Sequence, residues 1–120
     1  SIFLNFSEDL IVKNQAVIEL MPKTYGHINF ESFVKLMKSF DAFNVTERLS
    51  EIKCPTLIVV GEDDLIKGRS HSERMLKGIP HAEYIIIPGG AHAICIDSPA
   101  PLNTMLIGFV LKHSQGKNID

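Results

Sequence analysis

The sequence predicts an α/β protein in which part of a parallel sheet, with flanking helices, is preceded by helical segments. Two short apolar runs, 56–60 and 83–87, are rich in β-branched residues and show no polar alternation. Such runs are typical of strands covered on both faces. Helix signals follow each run at short distance, and the order strand, helix, strand, helix predicts a right-handed βαβ unit.

Composition limits the class of protein. The chain has 120 residues, 45% of them hydrophobic, and a formal net charge of -2, which indicates one ordinary globular domain. Lysine and arginine are scattered among acids, which argues against a nucleic-acid partner. No apolar run approaches the ~20 residues of a membrane span. Cys54 and Cys95 are expected to be buried free thiols in a reducing compartment, which favours the cytoplasm.

The N-terminal part carries helical periodicity only. Ser7 is predicted to cap a helix that Pro22 ends near Met21. A second helix is predicted after Asn29, because apolar residues recur at helical spacing along one face. These residues are Phe30, Phe33, Val34, Met37 and Phe40.

The first strand and the helix after it have clear boundary signals. Pro55 can open the strand because its missing N–H costs least there. The loop from Gly61 to Arg69 follows. Ser70 and Glu73 are predicted to form a capping box for a helix that Gly78 ends.

The second strand and the final helix are marked in the same way. Pro88-Gly89-Gly90 stops the strand, and Ser98 with Pro99 predicts a helix start. An apolar stripe then follows, made of Leu102, Met105, Leu106, Phe109 and Val110. Two strands are too few for a buried parallel sheet, so we expect the missing neighbours in a larger fold, a partner chain or another copy of this chain.

Chemically useful side chains follow both strands. Glu62, Asp63 and Asp64 lie in the loop after the first strand, and His92 lies in the loop after the second. Loops at the carboxyl edge of a parallel sheet meet, and neighbouring strands are only ~5 Å apart. A carboxylate there can accept the Nδ1 proton of the imidazole, leaving Nε2 to act as a general base and then as a general acid.

These segments resemble the C-terminal portion of the α/β-hydrolase family. The resemblance rests on 55–64, on 84–92 and on Asp97-Ser98-Pro99, and covers roughly residues 28–112. It implies that Asp64, in Gly-x-x-Asp, is the triad acid and that His92 is the triad histidine, in a pattern completed by Asp97 and Pro99. It also implies a helical cap-like segment at 1–45, a core portion at 46–113 and a polar tail at 114–120.

The resemblance has departures. The family often has Gly-x-Gly-His, whereas here Gly89-Gly90-Ala91 precedes the histidine, and no Gly-x-Ser-x-Gly nucleophile elbow is present. The resemblance therefore implies part of a serine-type hydrolase of esters, lactones or similar small acyl compounds, inactive in isolation and without a cofactor. An aspartate-nucleophile relative uses the same histidine and acid. The alternative is a non-catalytic α/β domain that self-associates or binds a partner through its incomplete sheet.

Simpler interpretations of the same residues remain open. Either Asp63 or Asp64 can be a solvated turn residue, and His92 can be a loop histidine bonded to backbone. A metal site from His71, Asp63 and His92 has no recognised ligand spacing. Cys95 lies in the apolar run 93–96, so we expect it to pack rather than to act as a nucleophile.

Overall fold

The computed structural model describes residues 6–13, 15–16, 19, 27 and 29–114. The predicted α/β class is confirmed, although the predicted end of the first helix at Met21 and Pro22 lies outside the described residues. The elements in chain order are α1 (Glu8–Lys13), α2 (Phe30–Ala42), a 3₁₀ helix (Thr46–Glu51), β1 (Leu57–Gly61), α3 (Arg69–Gly78), β2 (Glu83–Ile87), α4 (Ile94–Asp97) and α5 (Pro99–Ser114).

The two strands pair in parallel, as predicted. The register places Leu57 opposite Glu83 at one end and Gly61 opposite Ile87 at the other. Helix α3 connects them and packs against β1 and the 3₁₀ helix. The buried apolar side chains gather around this unit and belong to Ile58, Val60, Ile79, Ile87 and Ala91.

Burial of β1 alternates, which differs from the prediction of a strand covered on both faces. Ile58 and Val60 are buried, whereas Leu57 and Val59 are only half-buried. Within the described residues the sheet has two strands. The face of β1 that carries Leu57 and Val59 is therefore partly exposed, although both residues are apolar.

The predicted cap of α1 at Ser7 and the predicted start of α2 after Asn29 are confirmed. The Ser7 hydroxyl accepts the N–H of Leu10 at 3.3 Å, and the Asn29 side chain accepts the N–H of Ser32 at 2.9 Å. Each side chain supplies an acceptor to a backbone donor that has no partner within the helix. Local sequence therefore determines where both helices begin.

The predicted capping box at α3 is wrong. The helix begins at Arg69, with Gly68 at the cap position and no side-chain cap bond. Ser70 consequently lies inside the first turn, where its hydroxyl cannot cap the helix as predicted. The first turn is closed instead by the N–H of His71, which donates to the carbonyl of Gly68 at 3.0 Å.

Both cysteines are free and exposed, which corrects the expectation that they are buried. Cys95 lies in α4, a one-turn helix that the sequence analysis did not predict. Within this helix Ile94 lies beside Gly90, whereas Cys95 is exposed. The predicted packing role of Cys95 is therefore not observed among the described residues.

The long helices expose much of their apolar surface. Phe30, with 77% of its surface exposed, and Phe40, with 60%, lie on the predicted stripe of α2.

Helix α5 is linked to β2 by Glu83, which accepts hydrogen bonds from His113 Nε2 at 2.8 Å and Lys112 Nζ at 2.9 Å. The exposed large apolar residues of α5 are Leu106, Ile107, Val110 and Leu111. No helix in the described part of the chain is long and apolar enough to cross a bilayer.

Gly61 ends β1 where the loop after β2 comes closest. A Cβ atom built on Gly61 would collide with the carbonyl oxygens of Gly90 and Ala91. These are backbone atoms, so the collision cannot be relieved by a side-chain rotation. Glycine at this position therefore lets the two loops approach each other.

Replacement of Gly61 by alanine should destabilise the protein by about 1–3 kcal/mol, because the loop after β2 must move away. The measurement is urea unfolding of the full chain, followed by circular dichroism. Gly108→Ala is the control, since nothing lies within 4 Å of its added Cβ and alanine favours the helix. Equal stabilities of the two variants would contradict the close approach at Gly61.

Candidate active site

The loops that follow the two strands are joined to each other by backbone hydrogen bonds. The N–H of Glu62 donates to the carbonyl of Ile87 at 2.9 Å, and the N–H of Asp63 donates to the carbonyl of Gly90 at 2.8 Å. The parallel pairing thus continues beyond the strand ends. It brings the acid-bearing loop alongside the loop that carries His92.

Asp64 and His92 meet at this edge. Asp64 Oδ2 lies 2.9 Å from His92 Nδ1. The other oxygen, Oδ1, accepts the backbone N–H groups of Ile66 at 2.9 Å and Lys67 at 2.8 Å. The carboxylate side chain is 8% exposed, whereas the imidazole is 35% exposed.

Opposing effects act on the pKa of the Asp64 carboxyl. Burial raises this pKa, but hydrogen bonds from Lys67, His92 and Ile66 favour the charged form and lower it. The net result is a pKa below the ordinary value of 3.8. Asp64 is therefore a carboxylate at neutral pH.

The charge of Asp64 determines how the imidazole is used. An ionised carboxylate only accepts hydrogen bonds, so a neutral His92 must carry its proton on Nδ1. Nε2 then keeps a free lone pair, and it has no hydrogen-bond partner within the described part of the chain. This arrangement can remove a proton from a hydroxyl group or from water.

Asp63 and the remaining histidines do not take part in the pair. Asp63 is exposed, as are His71 and His81. His113 bonds to Glu83, at the opposite end of β2 from this edge. Among the described residues, no group of three or more His, Cys, Asp or Glu side chains could hold a metal ion.

Two further carboxylates hold the loop after β2, and the sequence analysis assigned no such role to either. Glu62 accepts the N–H of Gly89 at 3.2 Å, where the backbone has a φ of +66°. Asp97 Oδ2 accepts the N–H of Ala91 at 2.9 Å. The spacing of Asp97 from His92 was visible in the sequence, but no local signal reveals the acceptor role of Glu62.

The serine of α3 nearest the core does not resemble a nucleophile. Ser72 is buried, donates to the carbonyl of Arg69 at 2.9 Å and shares a 2.9 Å hydrogen bond with the hydroxyl of Tyr84. The contact with Tyr84 joins α3 to β2. Ser72 is therefore a packing residue, and the sequence contains no Gly-x-Ser-x-Gly motif.

Comparison with known proteins identifies relatives among hydrolases, although no family model matches the chain. A protein of Agrobacterium fabrum named carbamate hydrolase RutD is 39% identical over 94 residues, covering 76% of this chain and 36% of the relative. The structure of Est816, described as an N-acyl homoserine lactone degrading enzyme, has a TM-score of 0.73 and 28% identity, covering 89% of this chain and 44% of that protein.

A third neighbour supports the fold. MGS-MChE2, an α/β hydrolase from the metagenome of lagoon sediments at Mar Chica, Morocco, has a TM-score of 0.69 at 21% identity, covering 82% of this chain and 45% of the other. The fold of this chain is therefore that of a C-terminal portion of an α/β hydrolase. The chain spans about a third of the length of the curated relatives it matches.

The lowered pKa of Asp64 predicts how stability depends on pH. A carboxyl whose pKa is lower in the folded state stabilises the fold above its unfolded pKa, and this contribution is lost as pH falls through the folded pKa. Urea unfolding as a function of pH should therefore show a loss of stability as the pH falls through and below 3.8. The loss should be smaller in Asp64→Asn.

The control for this measurement is Asp63→Asn, which removes the same charge one residue away. Asp63 is exposed, so this variant should keep the acid dependence of the unmodified chain. If Asp64→Asn and the unmodified chain lost the same stability across this range, Asp64 would not be held as a stabilised carboxylate.

Proposed function

We propose that this chain supplies the acid and the general-base histidine of a serine-type α/β hydrolase. The observation that carries the proposal is the 2.9 Å contact between Asp64 Oδ2 and His92 Nδ1, with Nε2 left available. Asp64 is the acid that orients the ring. His92 is the base that moves the proton.

The proton transfers follow from this geometry. His92 Nε2 removes the proton of a serine hydroxyl as its oxygen attacks the carbonyl carbon of the substrate, and Asp64 stabilises the imidazolium that forms. The imidazolium then returns the proton to the leaving oxygen or nitrogen as the acyl bond breaks. A water molecule then attacks the acyl-serine carbonyl carbon and loses a proton to Nε2. The imidazolium returns this proton to the serine oxygen as the acyl bond breaks, and the acid product leaves.

The nucleophile and oxyanion donors must come from residues outside this sequence, because the 120 residues contain no elbow motif. The chain by itself should therefore be inactive by this mechanism. An aspartate nucleophile is compatible with the same pair, since His92 would then activate the water that hydrolyses the ester intermediate. The serine mechanism is preferred because two relatives are named for cleavage of acyl compounds.

The proposed substrates are esters, lactones or carbamates. The names of the two relatives indicate a carbamate and an N-acyl homoserine lactone. These compounds share a carbonyl carbon bonded to an oxygen or nitrogen leaving group, which is the bond that a serine and histidine pair cleaves. We further propose that residues 1–45 belong to a helical cap above the pocket and residues 46–113 to the core.

A chimera can test this function. The whole of this chain, from Ser1 to Asp120, would replace the part of the Agrobacterium fabrum relative that includes the 94 matched residues, so that the relative supplies the rest of the fold. The chimera should hydrolyse a chromogenic short-chain ester. His92→Ala should lower kcat by about 10³–10⁴-fold or more, because the nucleophile loses its base.

Matched variants distinguish chemistry from folding. His71→Ala also removes a histidine but from an exposed position on α3, so it should leave kcat near that of the chimera. Asp64→Asn should lower kcat on the order of 10⁴-fold through the wrong histidine tautomer, whereas Asp63→Asn should not. A folded, active chimera whose activity survives His92→Ala would refute the proposed role.

A second candidate function is self-association without catalysis, favoured by the exposed apolar stripes of α2 and α5. Exposed apolar helix faces invite contact with another copy, as do the open edges of a two-stranded sheet. Light scattering coupled to gel filtration should then give a mass above 13.4 kDa. A stable monomer would argue against this candidate, and activity in the chimera would favour the first.

A further inference from the structure

The carboxylate of Asp97 joins two distant parts of the chain. Its Oδ2 accepts the N–H of Ala91 at 2.9 Å. Its Oδ1 accepts both the N–H and the hydroxyl of Ser7, at 3.0 Å and 2.6 Å, from a segment 90 residues away in sequence. Three donors therefore converge on one half-buried carboxylate.

One end of this network fixes the residue before the proposed base. Ala91 is buried and directly precedes His92. The turn from Ala93 to Asp97 is closed by hydrogen bonds of 2.9 Å from the N–H groups of Ile96 and Asp97 to the carbonyl of Ala93. The carboxylate of Asp97 thus ties the end of this turn to Ala91, so that His92 lies inside a closed loop from Ala91 to Asp97.

The other end of the network is the start of α1. The Ser7 hydroxyl donates to Asp97 and accepts the N–H of Leu10, so a single hydroxyl both caps α1 and contacts the carboxylate. Ser7 therefore connects the N-terminal helix to the loop that carries His92. Movement of α1 would therefore be transmitted to the peptide between Gly90 and Ala91, one residue before His92.

The chemistry of these contacts requires a carboxylate. Both oxygens of Asp97 act as acceptors, and two of the three donors are backbone N–H groups that cannot reverse their role. An asparagine of the same shape presents one oxygen and one NH₂ group. Whichever way it is oriented, at least one backbone N–H faces another donor.

We propose that Asp97 is a positioning residue that holds His92 on Asp64 and couples this pair to the start of α1. The proposal rests on the proposed function, because it assigns the placement of the base in that reaction. Asp97 acts through the Ala91 peptide and does not itself transfer a proton. Loss of its contacts should displace the imidazole without removing either member of the pair.

The first test uses the 120-residue chain and needs no catalysis. Nuclear magnetic resonance would measure hydrogen exchange of the Ala91 amide and of the His92 Nδ1 proton. Asp97→Asn should accelerate both exchanges by roughly tenfold or more, because the loop loses its closure. Asp63→Asn, which removes an equal charge from the neighbouring loop, should change neither exchange rate.

The second test uses the chimera. Asp97→Asn should lower kcat on the order of 10²-fold while KM stays within about twofold, since a small displacement of the base affects the chemical step more than binding. Ser7→Ala removes only the hydroxyl that donates to Asp97, and it leaves the hydrogen bond between Asp97 and the N–H of Ala91 in place. It should produce a smaller change of the same kind, and it provides the test if Asp97→Asn does not fold.

The outcomes separate this inference from the proposed function. Unchanged exchange of the His92 Nδ1 proton in Asp97→Asn, or in Ser7→Ala where only that variant folds, would overturn the positioning role while leaving the Asp64 and His92 pair intact. Chimera activity that survives His92→Ala would instead refute the proposed function. Faster exchange together with a loss confined to kcat supports both.

Discussion

The placement of the Asp64 carboxylate is the constraint on which the rest of the site depends. A carboxylate that is 8% exposed is stable as a charge only when donors replace the water it has lost. Ile66 and Lys67 supply two donors from the same loop, and His92 supplies the third from the other loop. The two loops must therefore stay together, and the parallel pairing of β1 and β2 with Gly61 at its end permits this.

The sequence predicted much of this arrangement because its main elements depend on local pattern. The second strand is found at its predicted bounds, and the first begins and ends one residue later than predicted. The proximity of Asp64 and His92 follows from a general property of parallel sheets, whose strand ends share one edge. The particular hydrogen bond, however, depends on how each loop folds.

The features that sequence reasoning missed depend on contacts between distant residues. Helix α3 begins at Arg69 without a side-chain cap, although the Ser70 and Glu73 pattern predicted a later start. The short helix α4 has no side-chain cap bond either. The contact of Asp97 with Ser7 joins residues that no periodicity relates. Buried cysteines were expected from residue type alone, but the described fold leaves both exposed.

We expect Asp64 to hold His92 as the tautomer protonated on Nδ1, because Asp64 Oδ2 lies 2.9 Å from that nitrogen. The nitrogen-15 resonances of the neutral imidazole measure this tautomer directly. We expect a protonated Nδ1 and an unprotonated Nε2 in the unmodified chain, and a shift toward the opposite tautomer in Asp64→Asn. A proton on Nε2 in the unmodified chain, or the same tautomer ratio in both proteins, would show that Asp64 does not orient the ring of His92.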